Sequence, residues 1–85
     1  MPEISRFYGI VITMYNSEHN PPHFHIRYND YRATMAIDTG ELNGNLPRRV
    51  VNLVYEWYDE HKEELKQNWM RMEKGEEIIN INPLD

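Results

Sequence analysis

The alternation of apolar and polar residues is clearest between residues 23 and 38. Two alternating segments, His23 to Tyr28 and Tyr31 to Asp38, flank Asn29-Asp30. Asn and Asp tolerate the positive φ angles that a two-residue hairpin loop requires at its central positions. The resulting register pairs Tyr28 with Tyr31, Ile26 with Ala33, and Phe24 with Met35. The pattern therefore predicts an antiparallel hairpin with one apolar face, which Ile37 extends, and one polar face.

The polar face of this predicted hairpin concentrates basic and imidazole side chains. Its members are His23, His25, Arg27, Arg32, Thr34, Ala36 and Asp38. Because residues two apart on a strand share a face, these side chains are expected to lie side by side in the folded protein.

The flanking segments predict further extended structure. Residues 8–15 are nearly all apolar, which is typical of a central strand, and a loop over 16–22 ends in Pro21-Pro22. A short edge strand is expected at residues 41–42, and residues 76–81 are expected to add a last strand.

Helical spacing of apolar residues appears after Pro47 and predicts a helix over residues 47–74, with Gly75 just beyond its end. The apolar stripe is Val50, Val54, Trp57, His61, Leu65 and Met72, and the acidic face is Glu56, Asp59, Glu60, Glu63 and Glu64. His61 is interpreted as a core or boundary residue, and Trp57 and Trp69 as core or interface anchors. We expect one α+β domain over residues 1–85, in which an antiparallel sheet of three to four strands packs on one long C-terminal helix.

Composition narrows the class of protein. The chain has 85 residues, a formal net charge of −5 and no cysteine. The acidic balance argues against a generic nucleic-acid binder, although a local basic patch could still contact RNA. No apolar run is long enough for a signal peptide or a membrane span, so a cytoplasmic protein without a membrane partner is expected.

The polar hairpin face predicts acid–base or anion chemistry. His23 and His25 could act as general base and general acid, while Arg27 and Arg32 would stabilise the charge of a phosphate group. This combination indicates a ribonuclease or another phosphoester-acting enzyme as one hypothesis.

Metal binding through His19, His23 and His25 is a separate hypothesis, with zinc as the divalent ion. Imidazole is the commonest metal ligand, and two histidines on one strand face can converge on one ion. Two neighbouring arginines would repel a cation and suit an anion better, so the default expectation is no cofactor.

Three parts of the chain resemble a small bacterial family, the domain-of-unknown-function family 4160, which is known for a P-H-F-H motif. They are residues 1–10, the run His19-Asn20-Pro21-Pro22-His23-Phe24-His25, and Leu46-Pro47 before a helix that bears Trp57. The signature positions of the family correspond here to Pro22, His23, Phe24 and His25.

The resemblance implies a gene neighbourhood as well as a fold. Members are often encoded beside another small protein, an arrangement that resembles a toxin–antitoxin pair. The leading hypothesis is therefore a protein-binding component of a two-gene module, whose partner is the small protein encoded by the neighbouring gene. The expected binding residues are His19, Tyr28, Tyr31 and Thr34, the acidic helix face could meet a basic partner, and homo-oligomerisation is left open.

Overall fold

A five-stranded antiparallel sheet and one long helix make up the protein, and the computed structural model describes residues 3–15 and 19–85. The strands are β1 (Glu3–Phe7), β2 (Ile10–Thr13), β3 (His23–Tyr28), β4 (Tyr31–Ala36) and β5 (Leu42–Gly44), and the helix α1 is Arg48–Glu73. The strands lie in the sheet in chain order, each antiparallel to the next. This arrangement confirms the predicted α+β class, with five strands rather than three to four.

The predicted hairpin forms as β3 and β4 in the expected register. Phe24 pairs with Met35, Ile26 with Ala33, and Tyr28 with Tyr31. Of the two loop residues, only Asn29 has a positive φ, at 51°, whereas positive angles were expected at both. β4 ends at Ala36, two residues earlier than predicted.

The unpredicted strand is β1. Its sequence places Ser5 and Arg6 between Ile4 and Phe7, so apolar and polar residues do not alternate. Its register against β2 shifts between Glu3 and Ser5. Such a bulge adds a residue to one strand and breaks the alternation that identifies a strand in the sequence.

Two other strands have boundaries that differ from the predicted ones. β2 is Ile10–Thr13 rather than residues 8–15. It begins late because Tyr8 and Gly9 form the turn from β1, with φ angles of 51° and 80°. β5 covers Leu42–Gly44 instead of residues 41–42. Residues 16–18 of the predicted loop lie outside the described residues.

The helix α1 agrees closely with the prediction of residues 47–74. Pro47 precedes its first residue, and Gly75 follows its C-terminal cap with a φ of 75°. The helix kinks at His61, where φ is −125° and ψ is 20°. The His61 ring donates from Nδ1 to Oε1 of Glu64 at 2.6 Å and lies 5.5 Å from the Trp57 ring, which places it at the core boundary as expected.

Residues 76–85 do not form the predicted last strand. They follow an extended path that ends in two buried side chains, Ile81 and Leu84, and one backbone hydrogen bond joins Ile81 N–H to the Ile4 carbonyl at 2.8 Å. The buried Asn68 holds this tail by donating to the Ile79 carbonyl at 2.8 Å and accepting from Ile79 N–H at 2.9 Å. Helix side chains therefore supply bonds that a neighbouring strand would give.

The helix covers one face of the sheet and leaves the other open. Trp57, fully buried, lies 5.8 Å from the Phe24 ring and 5.5 Å from the Phe7 ring, and Tyr58 donates to the Ile37 carbonyl at 2.6 Å. The acidic residues of α1 face solvent on the far side of the helix. In the described residues no helix is long and apolar enough to cross a membrane.

Candidate functional site

Three arginines cross the open face of the sheet in one row. Arg27 pairs directly with Arg32 on β4 and with Val11 on β2, and Val11 pairs with Arg6 on β1. Because paired residues of antiparallel strands share a face, all three guanidinium groups stand on the side away from the helix. The row is a basic surface on a protein whose net charge is −5.

The two central arginines of this row have no negative partner in the part of the chain that the structure describes. Arg27 and Arg32 are both exposed, and no carboxylate of residues 3–15 and 19–85 lies within ion-pair distance of either. Like charges directly opposite each other destabilise a strand pair. The Arg27–Arg32 pair is therefore an arrangement that a bound anion would stabilise.

The third arginine differs, because it has a carboxylate of its own. Arg6 donates from Nη2 to Oε1 of Glu3 at 2.7 Å and from Nε to Oε2 at 3.1 Å. This bond lowers the pKa of Glu3, with a smaller contribution from the charge of Arg27, and it raises the pKa of Arg6. Arg6 is thus already neutralised at the edge of the row.

A shallow hollow of about 70 Å³ lies beside the central arginines. Its lining residues are Val11, Thr13, Tyr15, His25, Ile26, Arg27, Arg32 and Ala33. The Tyr15 and His25 rings meet edge to face with their centroids 4.6 Å apart. We call this region, with Arg27, Arg32 and His25 at its centre, the open-face hollow.

The structure separates the four predicted catalytic residues. His25, Arg27 and Arg32 line the open-face hollow, whereas His23 does not. The His23 ring donates from Nδ1 to the Pro21 carbonyl at 2.9 Å and packs 5.4 Å from the Trp69 ring of α1. It still lies 5.4 Å from the His25 ring, so the two imidazoles are neighbours with different surroundings.

The predicted metal ligands are spread along residues 19–25. His19 is exposed in the loop before β3, while His23 and His25 are half-buried on the strand. Among residues 3–15 and 19–85, no group of three or more His, Asp or Glu side chains is placed to hold a metal ion. Zinc binding stays a prediction.

The other predicted binding residues lie on two different surfaces. Thr34 pairs with His25 and therefore belongs to the open face. Tyr28 and Tyr31 occupy the hairpin end on the helix side, where the Tyr28 hydroxyl accepts from Nη2 of Arg49 at 3.1 Å.

Sequence reasoning missed the contribution of β2 to the hollow. Thr13 pairs with His25, and Tyr15 lies two residues further along the same face. The available signal was the spacing of Val11, Thr13 and Tyr15, which are two residues apart and therefore share one face of a strand. A nearly continuous apolar segment, however, does not show which of its faces stays open.

Comparison with known proteins identifies one family. A family model described as a domain of unknown function, DUF4160, matches residues 9–70. Neither curated proteins nor solved structures give a match to this chain. The match includes β2, β3, β4, β5 and most of α1, and thus every residue that lines the open-face hollow.

Proposed function

The chain belongs to the DUF4160 family of domains of unknown function, and we propose that it binds a phosphate-bearing ligand on the open face of its sheet. The observation that carries this proposal is the direct pairing of Arg27 with Arg32, both exposed and without a carboxylate partner in the described residues. A phosphate between them would replace repulsion by two charge-assisted interactions.

The chemistry of the lining supports phosphate over a cation. A guanidinium group offers several N–H donors in a planar fork that matches phosphate oxygens. Thr13 and Tyr15 add hydroxyl groups to the same hollow, and His25 adds an imidazole. The hollow is small, so it suits one phosphate group, with the rest of a longer ligand such as single-stranded RNA crossing the open face.

Phosphoester cleavage is the reaction that this site would support. In RNA cleavage the 2′-hydroxyl would attack the adjacent phosphorus and the 5′-oxygen would leave. His25 would take the proton of the attacking hydroxyl or give a proton to the leaving oxygen, while Arg27 and Arg32 stabilise the charge that develops on the phosphate. The His23 ring, 5.4 Å away, is a candidate second acid–base group. On this proposal, His25→Ala abolishes cleavage of RNA and leaves the melting temperature nearly unchanged.

Binding of a fluorescent single-stranded RNA at several salt concentrations tests the proposal. For single strands, the logarithm of affinity falls against the logarithm of salt by about 0.7 for each neutralised phosphate. Arg27→Gln and Arg32→Gln should each weaken binding and reduce that slope by about 0.7. Arg48→Gln removes the same charge from the exposed start of α1 and is the matched control.

Two results would count against phosphate binding. One is an affinity for RNA or inorganic phosphate that stays the same in Arg27→Gln and Arg32→Gln. The other is an equal loss in Arg48→Gln, which would indicate a general effect of net charge. Metal analysis of untagged protein tests the zinc alternative separately, and a content far below one ion per chain would exclude it.

A second candidate function is that of the protein-binding component of a toxin–antitoxin-like module. The exposed aromatic residues at the hairpin end support it, since Tyr8 is 56% exposed and Tyr31 is 44% exposed. Aromatic side chains are enriched in protein interfaces, and Tyr8 occupies a turn position whose positive φ disfavours a large side chain. A contact between the Tyr8 ring and a partner protein would explain why tyrosine is present at this position.

Co-expression with the product of the neighbouring gene tests this second function. The two proteins should co-purify, and Tyr8→Asn should weaken the complex without weakening the fold. Separate elution of the two proteins at micromolar concentration would contradict it.

A further inference from the structure

A second concave region lies between residues 20–22 and the last turns of α1. This groove encloses about 230 Å³ and shares no residue with the open-face hollow. Its lining residues are Asn20, Pro22, Asp38, Lys66, Trp69, Met70 and Glu73. We call it the signature groove, because Asn20 and Pro22 come from the segment that carries the P-H-F-H motif.

The walls of the signature groove combine apolar surface with negative charge. Pro22, Trp69 and Met70 supply the apolar surface, and Met70 is 52% exposed although it is a large apolar residue. The carboxylates of Asp38 and Glu73 have no ion-pair partner among residues 3–15 and 19–85. Lys66, the one basic residue of the lining, lies 3.6 Å from Glu63 instead.

Trp69, which lines the same groove, carries a buried donor without an acceptor among the described residues. Trp69 is only 5% exposed, and its indole N–H makes no hydrogen bond within the described part of the chain. An unsatisfied buried donor costs roughly 1–3 kcal/mol, so natural proteins keep few of them. The donor is therefore a second signal for a ligand here, independent of the carboxylates.

We propose that the signature groove binds a lysine or arginine side chain of a partner protein. The alkyl stem of that side chain would lie along Pro22 and Met70, and its cationic head would reach the carboxylates of Asp38 and Glu73. The indole N–H of Trp69 is closed to solvent, so a backbone carbonyl of the partner would accept from it only after a small movement of the ring towards the groove. This proposal stands apart from phosphate binding, because it uses other residues and a ligand of opposite charge.

Nuclear magnetic resonance titration with short blocked peptides tests the proposal. The probes are Gly-Lys-Gly and Gly-Arg-Gly, and a norleucine peptide of similar shape but without charge is the comparison. Both cationic peptides should shift the indole N–H signal of Trp69. The Trp57 indole should stay unchanged, because its N–H already donates to the Asn82 carbonyl at 2.9 Å.

Two double variants of equal net charge distinguish binding of the peptide in the signature groove from its general attraction to an acidic protein. Asp38→Asn combined with Glu73→Gln should weaken binding of the lysine peptide about fivefold, as expected for the loss of two exposed ion pairs. Glu56→Gln combined with Asp59→Asn changes the net charge equally on the exposed face of α1 and should leave binding unchanged.

Three results would overturn the proposal. The first is equal shifts by the lysine and norleucine peptides, and the second is equal weakening in both double variants. The third is an oligomer in sedimentation experiments that Asp38→Asn with Glu73→Gln converts to a monomer, since the occupant would then be a second copy of this chain. All four substituted positions are exposed, so unfolding of these variants is not expected.

Discussion

Gly44 lies where β5 approaches β4 so closely that no side chain fits. Its φ is 116°, and a Cβ at this position would lie 2.6 Å from the Arg32 carbonyl oxygen and 2.7 Å from Ala33 Cα. Gly44→Ala is therefore expected to lower the free energy of unfolding by about 3 kcal/mol, through backbone strain and overlap with backbone atoms. Urea denaturation measures the change.

Gly75 offers the matched control for this substitution. Its φ is also positive, at 75°, but nothing lies within 4 Å of the Cβ that alanine would add. Gly75→Ala should cost about 1 kcal/mol, the penalty of the left-handed backbone alone. Equal losses for the two variants would contradict the steric explanation.

Substitution of Tyr8 tests whether this exposed side chain serves binding of a partner rather than stability of the fold. With a φ of 51° in the turn before Gly9, it occupies a position that asparagine adopts more readily. Tyr8→Asn should leave the free energy of unfolding unchanged or raise it by about 0.5 kcal/mol. Thermal unfolding checks this, and a clear loss of stability would show that the Tyr8 ring supports the fold.

Among the elements, the extended tail depends on one helix residue. Asn68 bonds both backbone groups of Ile79 and accepts from Nη1 of Arg71 at 2.8 Å. Asn68→Ala should lower the free energy of unfolding by about 2 kcal/mol, because these groups lose their partners. It should also expose residues 76–85 to limited proteolysis.

Asn68→Asp distinguishes the two halves of this contact. A carboxylate still accepts from Ile79 N–H and Arg71 but cannot donate to the Ile79 carbonyl. We expect a loss smaller than that of Asn68→Ala at neutral pH. Tail cleavage in the alanine variant no faster than in the original protein would contradict the role of Asn68.

The β3–β4 hairpin was predictable because its signals are local. Alternation along each strand and the Asn29-Asp30 loop together determine the register, and the register places His25, Arg27 and Arg32 on one face. The sequence could therefore predict the centre of the candidate site before its surroundings were known.

The missed elements depend on contacts between distant residues. β1 is a strand through its pairing with β2, and its bulge hides the alternation. Tyr15 lines the hollow because β2 pairs with β3, and this pairing cannot be predicted from the sequence of either strand alone. His23 lies on the predicted face of β3, but Trp69 of α1 packs against its ring.

At the scale of the whole molecule, a basic pair and an acidic patch lie in different layers. Arg27 and Arg32 stand exposed on the open face of the sheet, while the acidic residues of α1 face outward from the other layer. Local potential rather than net charge steers a ligand to a surface. An acidic protein can therefore still present a basic face to a phosphate-bearing ligand.

Tail packing against β1 closes the core and can be tested with two neighbouring residues. Ile81 is 4% exposed, whereas Ile79 is 57% exposed. Ile81→Ala should lower the free energy of unfolding by about 3 kcal/mol, as expected for truncating a buried aliphatic side chain. Ile79→Ala should change it by no more than about 0.5 kcal/mol. Chemical denaturation of both variants measures the contrast, and similar values would contradict tail packing.

The hydrogen bond between Ile81 and Ile4 has a consequence during synthesis of the chain. Each strand pairs with its neighbour in sequence, which favours rapid pairing as the strands emerge from the ribosome N-terminal first. The outer edge of β1 stays unpaired for longer, because residue 81 is synthesised long after residue 4. Until then the nascent chain presents an unpaired strand edge beside uncovered apolar side chains, the kind of surface that chaperones bind and that aggregation starts from.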